Sequence, residues 1–69
     1  MEKVYIILFE ESDRERISNI IESHKDNIKD KQMTKIFKVR DQFVAYWIIV
    51  TDDETFEKIT KEMNGTVLY

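Results

Sequence analysis

Ser23, His24 and Asp26 are the one local set in this chain with the residue types of a nucleophile, a base and a carboxylate. The chemistry would be acyl transfer, with the imidazole taking the serine proton and the carboxylate orienting the ring. The spacing forbids it. Neighbours one or two apart on a helix point in different directions, so these side chains cannot converge on one substrate atom. His24 instead continues the apolar face of its helix and reads as a boundary residue. Asp52-Asp53-Glu54 is the second candidate, a carboxylate run of the kind that binds calcium. It lacks the spacing and the glycine of a calcium loop, and helix capping explains it better. Gly65 is the only glycine, so no glycine-rich loop is present to cradle a phosphate. The chain has no Cys and one His, which argues against a thiolate or protein-only zinc site. It reads as a non-enzyme, with no metal and no cofactor.

The elements that would position any site are constrained by size. The chain has 69 residues, enough for one domain spanning 1–69. Without disulfides or metal, a core this small supplies no more than about 3–5 kcal/mol. That raises the weight of stabilisation by a partner, either another protein or a second copy. The net charge of −3 argues against nucleic-acid backbone binding as the main activity. No apolar run reaches membrane-spanning length, and the N-terminus lacks a signal-peptide pattern. The chain would be cytoplasmic if it is full length; otherwise its location is unknown.

Phe43 to Val50 is the longest uncharged run and holds the single Trp. It is β-branched and aromatic-rich, without Gly or Pro, and predicts a strand apolar on both faces. Val4 to Phe9 predicts a second such strand. Ser12 and Glu15 fit a capping box, and Ile17, Ile20, Ile21, His24 and Ile28 recur at helical spacing. A helix is expected from Asp13 to about Asn27 or Lys29, with a polar loop through Gln32. Met33 to Arg40 predicts an edge strand, with Asp41 and Gln42 as a tight turn. One of Thr51, Asp52 and Asp53 caps a second helix carrying Phe56, Ile59, Thr60 and Met63. Asn64-Gly65 would end it, before a last strand at Thr66 to Tyr69.

The order is βαββαβ. It predicts a ferredoxin-like α+β sandwich, a four-stranded antiparallel sheet of order 4-1-3-2 with both helices on one face. Two helices cover only one face of the sheet. The aliphatic set Val4, Ile6 and Leu8, with Val44, Tyr46, Ile48 and Val50, is expected beneath them. Tyr5, Ile7, Phe9, Phe43, Ala45, Trp47 and Ile49 would then face outward as an apolar, aromatic-rich patch. Such a patch marks an interaction surface. The inward Tyr46 would need a partner for its hydroxyl, and a hairpin bulge would swap the parity.

Val4-Tyr5-Ile6 resembles the aromatic-bearing first strand of an RNA-recognition motif. The partner strand departs from that pattern: Arg40-Asp41-Gln42-Phe43-Val44-Ala45 lacks the glycine, and Ala45 stands where a stacking aromatic belongs.

Read whole, the chain resembles the propeptide domain of subtilisin-like serine proteases and the free inhibitors built on it. Lys3 to Phe9, Ile36 to Val39, Phe43-Val44-Ala45 with Phe56 to Ile59, and Asn64 to Tyr69 carry the likeness. The resemblance implies an inhibitor and folding chaperone whose sheet face packs on the protease surface, with Tyr5, Ile7, Phe9, Phe43 and Trp47 as contacts. It also implies a C-terminal segment in the cleft, with Tyr69 suited to the primary pocket. The chain departs from the family in lacking a glycine before Phe43 and a tail beyond the last strand. The expected function is protein binding through the open sheet face, at Tyr5, Ile7, Phe9, Phe43, Trp47, Ile49 and Tyr69. The alternatives are a homodimeric ACT-like regulatory or small-ligand-binding module, or a small phage- or plasmid-type protein that binds a host protein.

Overall fold

The computed structural model describes residues 1–63. β1 spans Glu2–Glu10, and a short 3-10 turn at Glu11–Asp13 leads into α1, Arg14–Ser23. A second 3-10 turn at Lys25–Asn27 leads to β2, Ile28–Met33. β3 is Phe37–Val39, β4 is Gln42–Asp52 and α2 is Asp53–Met63. The fold is α+β, an antiparallel four-stranded open sheet with two helices, compatible with a ferredoxin-like arrangement. The expected last strand at Thr66–Tyr69 and the helix end at Asn64-Gly65 lie outside the described residues.

β4 is the axis of the sheet. β1 pairs with it along its length, from Glu2 opposite Asp52 to Glu10 opposite Val44. β2 and β3 follow one another along its other edge. The uninterrupted apolar sequence of β4 fits this place, since a central strand has neighbours on both edges.

The expected edge strand from Met33 to Arg40 is corrected in two ways. Pairing starts earlier, at Ile28, in residues that read as a polar loop. It is also interrupted at 34–36, where four steps from Met33 to Phe37 match three steps from Trp47 to Val44. Thr34 makes this bulge: its N–H donates to the Tyr46 carbonyl and its Oγ1 accepts from the Tyr46 N–H, both at 3.0 Å. A first irregularity lies between Ile28 and Asp30. Each extra residue inverts the parity of the side chains beyond it. Ile28, Lys31 and Met33 therefore share the side of Thr51, Ile49 and Trp47, while Phe37 and Val39 share the side of Val44 and Gln42.

The β3–β4 turn is Arg40–Asp41, one residue earlier than expected, and Arg40 has φ 57°. The capping box at Ser12 is not formed; Ser12 lies in the 3-10 turn and α1 starts without a side-chain cap. At α2 the cap resolves to Asp52, whose Oδ1 accepts the Thr55 N–H at 2.8 Å.

The core lies between the helices and one face of the sheet. Ile7 and Phe9 from β1, Ala45 and Ile49 from β4, Ile17 and Ile21 from α1, and Ile59 and Met63 from α2 are all fully buried. Phe9 stands opposite Ala45 in the ladder, a large side chain beside a small one, as close packing favours.

Candidate functional site

The face assignment expected from the sequence is reversed. Ile7, Phe9 and Ile49, expected outward, are in the core with no exposed surface. Trp47 packs against the same core, and its Nε1 is buried without a hydrogen-bond partner among the described residues. Tyr5 stacks on Phe56 of α2 with ring centroids 3.9 Å apart, and its hydroxyl donates to Asp53, which also pairs with Lys3 at 3.1 Å. Phe43 is exposed, but at the turn end of the helix-side parity, with Lys38 Nζ 5.7 Å from its ring centroid. Tyr69 lies outside the described residues.

The physical reason is volume and hydroxyl chemistry. Two helices close to a sheet need a small residue beneath them, and Ala45 supplies it in the odd-numbered set. Thr51 continues that set and is satisfied while buried, its hydroxyl donating to the Asn27 carbonyl at 2.7 Å. Tyr46 takes the opposite side, where its ring meets Phe37 edge-on with centroids 6.1 Å apart. An aromatic with a polar tip suits a surface with one wet side.

The face away from the helices is accordingly built from Val4, Ile6 and Leu8 of β1, Tyr46, Ile48 and Val50 of β4, and Phe37 and Val39 of β3. Val4 is 65% exposed, Ile6 51%, Val39 47% and Phe37 41%. Leu8, Tyr46, Ile48 and Val50 are half-buried by their neighbours. An open, shallow hollow lined by Val4, Tyr5, Ile6, Leu8 and Tyr46 lies on this face at the β1 side.

The charges around the patch have one sign at the strand positions. By register, Glu2, Glu10, Asp30 and Asp52 share its parity, with neutral Gln32 and Gln42. The strand lysines Lys3, Lys31 and Lys38 have the other parity. Lys31 is committed there, 2.7 Å from Glu22 of α1. Positive charge also lies at this end: Lys29 in the bulge is 3.7 Å from Glu2, and the N-terminal ammonium lies near Asp52, whose carboxylate is engaged in capping α2.

The residues with catalytic types do not assemble. His24 ends α1, and its Nε2 lies 2.7 Å from a Glu62 carboxylate oxygen of α2, an interhelical pair. The Ser23 hydroxyl donates instead to the Ile20 carbonyl at 2.6 Å. Among the described residues no group of His, Cys, Asp and Glu is placed to hold a metal. No described helix is long and apolar enough to cross a membrane.

The chain matches no protein-family model, and no curated protein or solved structure matches it.

Proposed function

We propose that this domain is a protein-binding module that acts through the sheet face opposite its helices. The observation that carries the reading is the exposure of Val4, Ile6, Phe37 and Val39 on one continuous face around Tyr46 and Ile48. A folded chain of this size gains from covering such a surface, at roughly 25 cal/mol for each Å² of apolar area removed from water. The role is steric rather than chemical: the domain occupies a partner's surface.

Propeptide-like inhibition or chaperoning of a subtilisin-type protease is the specific form suggested by the family resemblance. The contact set within that form becomes Val4, Ile6, Leu8, Phe37, Tyr46 and Ile48 in place of Ile7, Phe9, Trp47 and Ile49. The full ferredoxin-like order 4-1-3-2, counted in the strands expected from the sequence with the β2–β3 edge as strand 2 and β4 as strand 3, belongs to the same proposal, and β4 lying between β1 and the β2–β3 edge supports it.

Light scattering over a concentration range, followed by inhibition titrations against a subtilisin-type protease, tests this for the wild type and Ile6→Lys. The expected result is a monomer that inhibits, with inhibition lost in Ile6→Lys while the fold persists. A wild-type dimer that Ile6→Lys dissociates places a second copy on the face and promotes the homodimeric alternative. Inhibition unchanged by Ile6→Lys overturns the use of this face.

A further inference from the structure

Resting on the strand order proposed above, we infer that the free edge of β1 is a strand-accepting site whose occupant is this chain's own segment, Thr66–Tyr69. Laid antiparallel to β1, the segment seals the edge and covers the hollow beside Val4 and Ile6. A partner on the open face then shares the β1 side of that face with the chain's own segment.

Among the described residues β1 pairs only with β4. In an antiparallel ladder successive residues direct their N–H and C=O groups to alternate edges. Every second residue of Glu2–Glu10 therefore offers both groups to an edge that no described strand fills. Val4 to Phe9 is uncharged, without the Pro or inward charge that protects a bare edge from pairing. The hollow lies against the same edge: Tyr5, from the helix side of β1, lines it together with Val4, Ile6 and Leu8 of the open side.

The course of α2 brings the following residues to that edge. Asp53, its first residue, pairs with Lys3 and Tyr5, and Phe56 stacks on Tyr5, so the helix starts over the beginning of β1. At its other end Arg16 Nη2 donates to the Met63 carbonyl at 3.2 Å. Arg16 is in the first turn of α1, just after β1 finishes at Glu10. The chain thus leaves α2 near the far end of β1. A strand reached from β4 through α2 by a right-handed crossover runs parallel to β4, hence antiparallel to β1. The edge of β4 away from β1 is taken by β2 and β3, and α1 rather than α2 stands by β2, where Lys31 meets Glu22 at 2.7 Å.

With Asn64 and Gly65 in the turn, Thr66 to Tyr69 covers about 13 Å at the usual strand rise, the length of about four residues of β1. That carries it from the Phe9 end back towards Tyr5. Successive side chains of a strand alternate, so one of Leu68 and Tyr69 falls into the hollow and the other on the helix side, by Tyr5 and Phe56.

NMR of the full chain tests this. The expected result is slow amide exchange at both alternating sets of β1 residues, cross-strand contacts between the α-protons of 66–69 and those of Tyr5 to Phe9, and contact of Leu68 or Tyr69 with the Val4 and Ile6 methyls. Val67→Pro and Leu68→Pro each remove one backbone N–H, and only alternate residues of the segment face β1. One of the two should therefore speed exchange at the outward β1 amides at least about tenfold more than the other, while Ile17 and Ile21 stay protected.

Fast exchange at the outward β1 amides of the wild type, with no cross-strand contacts, overturns the inference. So does β1 protection unchanged in both Pro variants. Contacts seen only between differently labelled copies, with a dimer by light scattering, place a second copy's segment on the edge and overturn the occupant. Pairing of 66–69 with β2 refutes the strand order itself, whereas pairing with β1 without contact to Val4 and Ile6 leaves the order standing and overturns the covering of the hollow. No partner is present in these measurements, so a failed protease titration does not decide them.

Discussion

Ile6 and Ile48 face each other across the β1–β4 ladder on the side away from the helices, while Ile7 and Trp47, one step along each strand, pair on the helix side. Neighbouring isoleucines of the same strand thus belong to different environments. Ile7→Ala removes a fully buried side chain and is expected to cost about 2–5 kcal/mol in urea unfolding. Ile6→Lys, on the exposed side, should change stability by no more than about 0.5 kcal/mol. Equal losses for the two would contradict the assigned parity.

Trp47 lies on the helix side of the sheet, partly buried against the core. Its indole packs on the core, but its Nε1 donor is buried with no acceptor among the described residues. An unmet buried donor costs about 1–3 kcal/mol, which offsets part of the packing gain. Trp47→Phe removes the donor while keeping a ring, so stability should stay within about 1 kcal/mol of wild type, whereas Trp47→Ala should cost roughly 2–3 kcal/mol. Denaturant midpoints separate the two. Neither change should alter the affinity of the open face, provided the variant is folded.

Much of the architecture was legible because local signals agreed. The two doubly apolar runs became the paired strands β1 and β4, and the acidic cap before Phe56 became the start of α2. The choice of face was not legible from hydrophobicity alone, because both parities of both strands are apolar. Ala45, Thr51 and Tyr46 carried the missing information: a small residue under the helices, a buried hydroxyl bonded to the Asn27 carbonyl, and an aromatic with a polar tip on the side away from them. The β2–β3 edge was harder still. Its bulge at 34–36 depends on Thr34 bonding the backbone of Tyr46, twelve residues away, and no periodicity within 28–39 encodes that. The expected likeness to subtilisin propeptides rests on short strand and helix fragments of a kind any βαββαβ chain would share, so it could not fix which face is open.

Arg40 occupies a backbone conformation better suited to glycine. Its φ of 57° is in the left-handed region, where a side chain costs about 1–2 kcal/mol, and it stands at the first position of a two-residue hairpin turn. Glycine relieves that cost but adds freedom to the unfolded chain, worth about 0.4–1 kcal/mol against it. Arg40→Gly should therefore stabilise by about 0.5 kcal/mol, read as a higher urea midpoint. Arg40→Val, β-branched in the same turn, should lower it.

Two carboxylates make the fold sensitive to acid. Hydrogen bonding from Thr55, by its side chain and then its backbone amide, holds Asp52 below the ordinary aspartate value. The hydrogen bond and charge of Lys31, helped by Lys25, hold Glu22 below the ordinary glutamate value. In the unfolded chain both return to about 3.9 and 4.3. Between the folded and unfolded values the unfolded state binds more protons, so stability rises with pH through that window. The contribution is complete above about pH 5, falls as the pH drops through 4, and is gone below the folded values. Asp52→Asn should reduce stability at neutral pH and flatten its decline between about pH 5 and 3. Glu22→Gln should flatten it less at about 1 M salt than at low salt, because an exposed ion pair with Lys31 is screened. Urea midpoints measured across pH at both salt concentrations separate the capping carboxylate from the ion-paired one. An acid limb identical in wild type and Asp52→Asn would mean that the Thr55 hydrogen bonds do not distinguish the folded carboxylate from the unfolded one.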